Sequence, residues 1–547
     1  MNSTPAINSK KRDMCRTMKT KNLTMATMVA TFLTLGAFSA AGIAALERPV
    51  VDTDAGKVQG TDDGKLLSWL GVPYAAAPEG SLRWMPPRAP EKWSGVKDAS
   101  QFGNFCPQNT DLGVFGKAGG AEDCLNLNVY VSKETIAKGG KLPVLVWIHG
   151  GSLWVGAGRD YDASKLALKG NAVVVTINYR LGILGYFAHP ELDKEGHRFA
   201  NYGLMDQQFA LEWVQHNISA FGGNPKDVTI SGESSGGNSV MAHVVAPGSA
   251  GKFQHAVAMS GGAVALRFPT FGAPKPLDYA EKMGEGFAKA VGCTSDNQAA
   301  CLRQLPLDKV LAMQTPHLIN QVVIDGTVIP LHPGEAFRTG KFNHVTLING
   351  TTRDEGTFFA GFPENENGIA MQGKGYEDAM KFFFGSLAEK VKKEYPADSY
   401  VTPSNAYAAA VTDMEFACPA RIINKRASAY TPTYAYEFAD RTAPSYLKPT
   451  SFALGAAHTY ELSYLFPGFH GGAGIPVKLN ALQEKLSDKM VTYWAQAGKA
   501  GERENEWPRY SPKQDNVMSL VLPGPVMKDG VFGREHHCDF WDDAGVY

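Results

Sequence analysis

The chain of 547 residues is long enough to form one large α/β domain or two or three smaller ones. Its composition, 44% hydrophobic and 20% charged, is that of a folded protein with an extensive apolar core. The formal net charge of -1, without a long run of like charge, argues against binding to nucleic acid.

The N-terminal segment has the composition of a secretory signal peptide. Basic residues between positions 10 and 21 precede an uncharged, mostly apolar stretch over 22–46 that ends in small residues. This pattern predicts a signal peptide over residues 1–45, cleaved after Ala41 or Ala45. An uncleaved anchor is the alternative, because about 20 apolar residues span a bilayer. We expect a removed signal, since the Ala- and Gly-rich end is weakly hydrophobic, and therefore a secreted or periplasmic protein without stable membrane insertion.

Short β-type runs then alternate with helical patterns along the chain. The runs cover residues 143–148, 172–177, 228–230, 255–259, 345–348 and 434–438, and residues 203–218 have helical spacing of apolar positions. Several runs are apolar without alternation, as in strands that are covered on both faces. The order predicts an α/β fold, with a large mostly parallel central sheet and helices on both faces. No linker divides residues 46–547, so we expect one domain there.

A Gly-rich turn follows the first of these runs. His149-Gly150-Gly151-Ser152 resembles the H-G-G turn of esterases, whose backbone N–H groups hold a developing oxyanion. The alternative is an ordinary turn. Leu153 and Trp154 follow this turn and are expected to line a substrate pocket. The helix-rich region over 268–325 is interpreted as helical cap insertions above that pocket.

The segment Gly232-Glu233-Ser234-Ser235-Gly236 is a G-x-S-x-G motif between a β-branched run and a helical pattern. Two small residues allow a sharp strand-to-helix turn, which lifts the serine hydroxyl to the N-terminus of the helix. We interpret Ser234 as a nucleophile. Ser235 fits the motif poorly, because Glu233 stands two residues before it instead of glycine.

A serine nucleophile requires a base and a carboxylate that orients the base. In α/β folds with a G-x-S-x-G serine, the three residues follow along the chain in the order serine, acid, histidine. Asp354 and Glu355 both follow the run at 345–348, and the pattern does not choose between them. His458, in a small-residue loop, is the best candidate base, and the pattern leaves three rivals: His470, His536 and His537.

The cysteines agree with export. Cys15 lies in the leader, and an even number remains in the mature chain, which favours disulfides. Many connectivities are possible, and pairing of sequence neighbours suggests Cys106–Cys124 and Cys293–Cys301, leaving Cys418–Cys538. No C-x-x-C motif exists, and the His-His-Cys cluster at 536–538 has no second group of metal-binding residues elsewhere in the sequence to complete a site. We therefore expect no metal and no cofactor.

Several separated blocks also occur in a specific order, at residues 70–75, 82–84, 122–128, 178–180, 203–207 and 232–237. Together they resemble the type B carboxylesterase and cholinesterase family, over most of the mature chain. The resemblance implies an α/β-hydrolase fold and hydrolysis of small-molecule carboxylic esters. It also implies a triad of Ser234, His458 and Glu355.

The resemblance implies further roles for particular residues. The oxyanion donors are expected to be the N–H groups of Gly151, Ser152 and Ser235. The ion pairs Arg83–Glu122 and Arg180–Asp206 are expected to be buried, and the three cysteine pairs fit the disulfides of the animal enzymes. Ser235 stands where the family usually has alanine, and Ser152 where it has a third glycine. Both keep the N–H group, so we expect function to survive.

Two other function classes compete with an esterase. Cholinesterase-like adhesion ectodomains do not catalyse, but they typically lose the serine or the histidine, and this chain keeps all three triad candidates. Lipase or acyltransferase activity uses the same acyl chemistry with another substrate or acceptor. The loop between Cys106 and Cys124 contains no tryptophan, whereas cholinesterases bind choline with one there. Choline esters are therefore not expected as substrates.

Overall fold

The strands of the chain form one large sheet and two small ones. A computed structural model describes residues 48–109, 113–137, 139, 141–270, 272–319 and 321–547, and the predicted signal peptide lies outside them. Within these residues the strands are β1 (Val50–Thr53), β2 (Gly56–Gln59), β3 (Thr61–Asp62), β4 (Leu66–Pro73), β5 (Val96–Asp98), β6 (Asn126–Ser132), β7 (Leu142–Ile148), β8 (Val173–Ile177), β9 (Gly223–Glu233), β10 (His255–Met259), β11 (Lys275–Pro276), β12 (Val323–Ile324), β13 (Thr346–Thr352), β14 (Thr433–Phe438), β15 (Asn516–Leu520) and β16 (Val526–Asp529).

The large sheet is parallel at its centre and antiparallel at both edges. Its order is β16-β15-β14-β13-β10-β9-β7-β8-β6-β4-β3. All neighbours from β8 to β15 in this order run parallel, whereas β3, β4, β6 and β16 pair antiparallel. The prediction of a mostly parallel central sheet is confirmed. The small sheets, β1-β2-β5 and β11-β12, lie outside it.

The central strands are apolar throughout because each of their faces is buried. Along β7, Val144, Val146 and Ile148 belong to one hydrophobic core. Leu145 and Trp147, which alternate with them, belong to a second core. A strand that buries both faces has no polar alternation, and this explains the continuous apolar runs in the sequence.

Helices cover both faces of the sheet. Among the described residues the α-helices are α1 (Lys133–Ala137), α2 (Ser164–Leu168), α3 (Gly182–Gly185), α4 (Pro190–Asp193), α5 (Tyr202–Asn217), α6 (Ser235–Val245), α7 (Leu277–Val291), α8 (Gln298–Arg303), α9 (Leu307–Gln314), α10 (Pro333–Thr339), α11 (Glu355–Asn367), α12 (Lys374–Phe384), α13 (Ala388–Glu394), α14 (Pro403–Val411), α15 (Cys418–Ala427), α16 (Leu462–Leu465), α17 (Ala481–Ala495), α18 (Phe532–Glu535) and α19 (Cys538–Ala544). Apolar residues of α5 and α6 belong to the first core, and those of α2 and α17 to the second. A π-helical segment, Thr412–Ala417, joins α14 to α15.

Residues Glu47–Tyr547 form one compact unit. None of the helices in the described ranges is long and apolar enough to cross a membrane. The boundary between signal peptide and mature domain stays a prediction.

Three disulfides and two buried ion pairs tie distant segments together. The disulfides join Cys106 to Cys124, Cys293 to Cys301, and Cys418 to Cys538, the same pairs that the sequence suggests. Arg83 donates to both carboxylate oxygens of Glu122, and Arg180 does the same to Asp206. A bidentate pair of this kind fixes the relative orientation of two segments.

Candidate active site

Ser234 lies at the carboxyl end of a central strand, between β9 and α6. Its backbone has φ 58° and ψ -124°, a conformation that non-glycine residues rarely adopt and that is common at functional turns. A Cβ atom on Gly232 would lie 2.6 Å from the backbone of Gly236, and one on Gly236 would lie 2.1 Å from the oxygen of Ile148. Only glycine fits at both positions, so the motif is required by the turn itself.

Glu355 and His458 meet at the same edge of the sheet. Glu355 begins α11 just after β13, and His458 lies in the loop between β14 and α16. His458 Nδ1 is 2.5 Å from Glu355 Oε2. The other oxygen, Oε1, accepts hydrogen bonds from the hydroxyls of Ser260 and Thr351 at 2.5 Å and from the N–H of Thr352 at 2.7 Å. Four donors therefore hold this carboxylate in one orientation.

Three buried glutamates lie in this region, Glu233 and Glu355 beside the imidazole and Glu461 close enough to act on their charges, and their environments give them different pKa values. Burial raises the pKa of Glu233 and of Glu461 well above the ordinary value, and repulsion by neighbouring carboxylates adds to it. Burial also opposes ionisation of Glu355, but His458 and the hydroxyls of Ser260 and Thr351 outweigh it and lower its pKa. Glu355 is therefore the carboxyl that carries the negative charge beside His458.

The second imidazole nitrogen faces the nucleophile turn. His458 Nε2 lies 3.3 Å from Glu233 Oε1, the residue next to Ser234 in sequence. Ser234 and His458 line the same cavity, and within the described residues the hydroxyl of Ser234 makes no hydrogen bond. Catalytic hydrogen bonds are often long in a free enzyme and tighten when substrate binds.

The Gly-rich turn after β7 forms the wall of the cavity beside Ser234. Gly151, Ser152 and Leu153 have φ values of 101°, 56° and 55°. Gly151, Ser152 and Ser235 line the cavity. The hydroxyl of Ser235 accepts a hydrogen bond from the N–H of Leu153 at 3.0 Å. Ser235 therefore links α6 to the Gly-rich turn.

The cavity is mostly apolar and rich in aromatic side chains, with a volume of about 320 Å³. The helices α11, α12 and α14 and the π-helical segment contribute a large share of its wall. The aromatic residues that line it are Phe115, Tyr161, Phe358, Phe359, Phe362, Phe382, Phe383, Tyr407 and Phe416. Such a cavity suits a small apolar molecule whose reactive group is directed to the polar end at Ser234.

Comparison with known proteins identifies the family. The sequence model described as "Carboxylesterase family" matches residues 47–541. The chain belongs to the carboxylesterase family. It is 34% identical over 502 residues to acylcarnitine hydrolase of Mus musculus, which covers 86% of each chain. It is also 34% identical over 499 residues to para-nitrobenzyl esterase of Bacillus subtilis, which covers 87% of this chain and 95% of that one.

The fold is shared with solved carboxylesterases as well. A PNB esterase structure superposes with a TM-score of 0.75 and 30% sequence identity, over 90% of this chain and 99% of that one. The predicted α/β-hydrolase fold and the resemblance to type B carboxylesterases are both confirmed. The protein is a carboxylic ester hydrolase.

The rival acid of this carboxylesterase, Asp354, has another partner. Its carboxylate accepts two hydrogen bonds from Arg441, at 2.9 and 2.6 Å, and one from the N–H of Ala456 at 3.0 Å. Because Ala456 is two residues before His458, Asp354 anchors the loop that carries the imidazole. Glu355 alone of the two contacts the imidazole.

The rival histidines of the carboxylesterase lie outside the cavity. His536 is buried between Asp413 and Glu437, at 2.6 and 2.9 Å. Burial lowers the pKa of His536, but the two carboxylates outweigh it and raise the pKa to about 10. A permanently charged imidazole cannot accept a proton from a serine. His470 Nδ1 contacts the oxygen of Gly468, and His537 contacts Glu394.

The prediction that Leu153 and Trp154 line the pocket was wrong. Neither Leu153 nor Trp154 is among the described residues that line the cavity. The positive φ values of the turn direct Leu153 into the hydrophobic core, where it is fully buried. Of the helix-rich region over 268–325, only Gly272 and Gln321 are among the described lining residues, so the cap over the site comes mainly from residues 355–417.

Several supporting residues escaped the sequence analysis. Ser260 and Thr351 hold Glu355, yet short polar side chains within or just after a strand are common and point to no particular acid. Phe115 lines the cavity from the loop between Cys106 and Cys124, where only tryptophan was considered. Only Ser260 could have been predicted, from its position, because it directly follows β10 at the same edge of the sheet as Ser234.

Replacing Ser235 by alanine is expected to cost stability rather than chemistry. The change leaves the buried N–H of Leu153 without its acceptor, which costs about 1–3 kcal/mol of unfolding free energy. The N–H groups of Gly151, Ser152 and residue 235, which the sequence predicts as oxyanion donors, remain, so kcat should fall less than about tenfold, whereas losing an oxyanion donor costs about 100- to 1,000-fold. Urea unfolding and ester turnover measure the two effects. A loss of kcat in that larger range would show that the hydroxyl itself takes part in catalysis.

Proposed function

We propose that the protein is an exported serine carboxylesterase, in which Ser234, His458 and Glu355 form the catalytic triad. The observation that carries this proposal is the meeting of the three residues at one edge of the sheet. Ser234 and His458 line one cavity, and Glu355 binds the imidazole on the side away from it. The chain order of serine, acid and histidine is the order that this fold uses.

The proposed reaction is acyl transfer in two steps. Ser234 Oγ attacks the ester carbonyl carbon while His458 Nε2 takes the serine proton, and the tetrahedral intermediate collapses as the imidazolium gives that proton to the leaving alcohol. Water then attacks the acyl-enzyme with the same base. Glu355 accepts a hydrogen bond from the Nδ1–H group of His458 and stabilises the imidazolium, and its lowered pKa keeps it ionised for this role.

The oxyanion of each intermediate is proposed to bind the N–H groups of Gly151, Ser152 and Ser235. Gly151 and Ser152 belong to the turn with positive φ values, and Ser235 begins α6, where the helix dipole favours negative charge. The hydrogen bond from Leu153 to Ser235 supports the arrangement, because it links the two segments that carry the donors. Donors fixed before the reaction stabilise the transition state most.

Export is proposed from the leader and the disulfides together. The segment over 1–45 is proposed to be a signal peptide, removed after Ala41 or Ala45. Three disulfides support it, because such bonds persist in oxidising compartments outside the cytosol. The ester substrate is proposed to be a small molecule with a largely apolar group, which the aromatic cavity accommodates.

A fluorophosphonate tests the proposal, because it reacts only with an activated serine. We expect one adduct per chain, complete loss of ester turnover, and a modified peptide that carries the label on Ser234. The neighbouring Ser235 provides an internal comparison within the same peptide. The intact mass of the labelled exported protein also reports where the leader ends. Labelling of Ser235, or full turnover after labelling, would refute the assignment.

A further inference from the structure

A carboxyl group projects into the aromatic cavity away from the triad. Glu415 lines the same cavity as Ser234 and is only 4% exposed. Its Oε2 atom is buried and, in the described part of the chain, has no hydrogen-bond partner. A buried polar atom without a partner is costly and therefore uncommon in folded proteins. The proposed catalytic steps make no use of this group.

The local backbone presents Glu415 and Phe416 to the cavity together. Both belong to the π-helical segment Thr412–Ala417, and π-helical insertions occur frequently at functional sites. Asp413, in the same segment, is directed elsewhere and binds His536 and Tyr395. The segment thus separates one carboxylate with partners from another that lies at the cavity wall.

One oxygen of Glu415 lies against the backbone of Gly272, and the other has no partner among the described residues. A Cβ atom on Gly272 would lie 1.8 Å from Glu415 Oε1, so only glycine allows this close approach. Burial raises the pKa of Glu415 to about 7, although Thr270, the backbone of Gly272 and the ammonium of Lys275 favour the charged form. The close approach to Gly272 thus places Oε1 on one side, and Oε2 stays available to a bound group.

We propose that Glu415 is a specificity determinant that binds a hydrogen-bond-donating group of the ester, an O–H or an N–H, inside an otherwise apolar cavity. The inference rests on the proposed function, because it assigns the substrate class of that same site. Such a donor satisfies Oε2, whereas a methyl group at the same place leaves it unpaired. Sites built to bind a donor discriminate strongly against analogues that lack it. The aromatic faces around it also suit a protonated amine.

Matched esters test the inference on the intact enzyme. One series compares a terminal methyl with a hydroxyl, and a second compares a terminal isopropyl with a protonated dimethylamino group of the same shape. Each series is made with graded chain lengths, once on the acyl side and once on the alcohol side. The readout is the ratio of kcat/KM between the two members of each pair, for the wild type, Glu415→Met and Glu415→Gln.

We expect the wild type to prefer the donor member of at least one pair by about 10- to 100-fold. Glu415→Met should abolish that preference, because kcat/KM falls more for the donor member than for the apolar member of the pair. Glu415→Gln keeps an acceptor oxygen without the charge, so it should keep the preference for the hydroxyl and lose that for the ammonium. If Glu415→Gln loses both preferences, as Glu415→Met does, recognition requires the negative charge of Glu415, and the bound group is an ammonium.

A purely structural role of Glu415 predicts another result. Its loss would then lower the thermal stability and the turnover of both members of a pair equally, and an unchanged ratio in Glu415→Met and Glu415→Gln would overturn the inference. A wild type without preference in any series would overturn it as well. Failure of the proposed function looks different, since ester turnover would then persist after fluorophosphonate labelling or in Ser234→Ala.

Discussion

Ser234→Ala is expected to lower kcat by about a million-fold, the size of loss seen when a triad serine is removed from a serine hydrolase. Alanine keeps the backbone of the turn but has no nucleophile, so no acyl-enzyme forms. A residual rate of about 1,000- to 10,000-fold over water should persist, because the oxyanion donors and the cavity remain. Initial rates on p-nitrophenyl esters measure the loss, and a burst of p-nitrophenol should disappear with it.

The matched control for this variant lies in the same strand. Ser231 is fully buried in β9, its hydroxyl has no hydrogen-bond partner among the described residues, and it is not one of the described cavity residues. Ser231→Ala therefore removes a hydroxyl close to the nucleophile without breaking a contact, and turnover should stay near that of the wild type. If Ser234→Ala retained most of the turnover, another residue would be the nucleophile.

The fold was predictable wherever the physical cause is local. The strands β7, β8 and β10 bury both faces, so their continuous apolar runs indicate their limits within about two residues. The antiparallel strands β4, β6 and β16 were missed, since such strands mix polar and apolar residues and depend on their neighbours. The contribution of residues 355–417 to the cavity wall was not predicted, because helical periodicity predicts a helix but not the part of the sheet that the helix covers.

The site was predictable in the same uneven way. Ser234 could be found from sequence because its turn requires glycine at fixed distances on both sides. The choice of Glu355 over Asp354 needed the resemblance to a family, because both follow the same strand and only folding places one of them against His458. Glu415 had no signal at all, since a glutamate in a helical stretch is usually exposed and only the π-helical turn directs it inward.

His458→Gln is expected to lower kcat by about as much as loss of the serine, because a glutamine cannot accept the serine proton. His470→Gln is the matched control, since His470 is a partly buried rival whose ring contacts only a backbone oxygen. Its turnover should stay close to that of the wild type. Equal losses in both variants would remove the assignment of His458.

The same variant should also carry a stability deficit whose pH dependence identifies the partner of His458. In the wild type, His458 contributes most to lowering the pKa of Glu355 against its burial. Without the imidazole, that pKa rises, and the carboxylate stays buried with an unfavourable charge, which costs about 3–5 kcal/mol at neutral pH.

At acidic pH, below the pKa of Glu355 in the wild type and in the variant, Glu355 is protonated in both proteins and the stability deficit shrinks. The difference in unfolding free energy between wild type and variant should therefore grow as the pH is raised through the acid range. Urea unfolding at a series of pH values measures it, and a deficit that does not change with pH would mean that Glu355 is not the carboxylate that His458 keeps ionised.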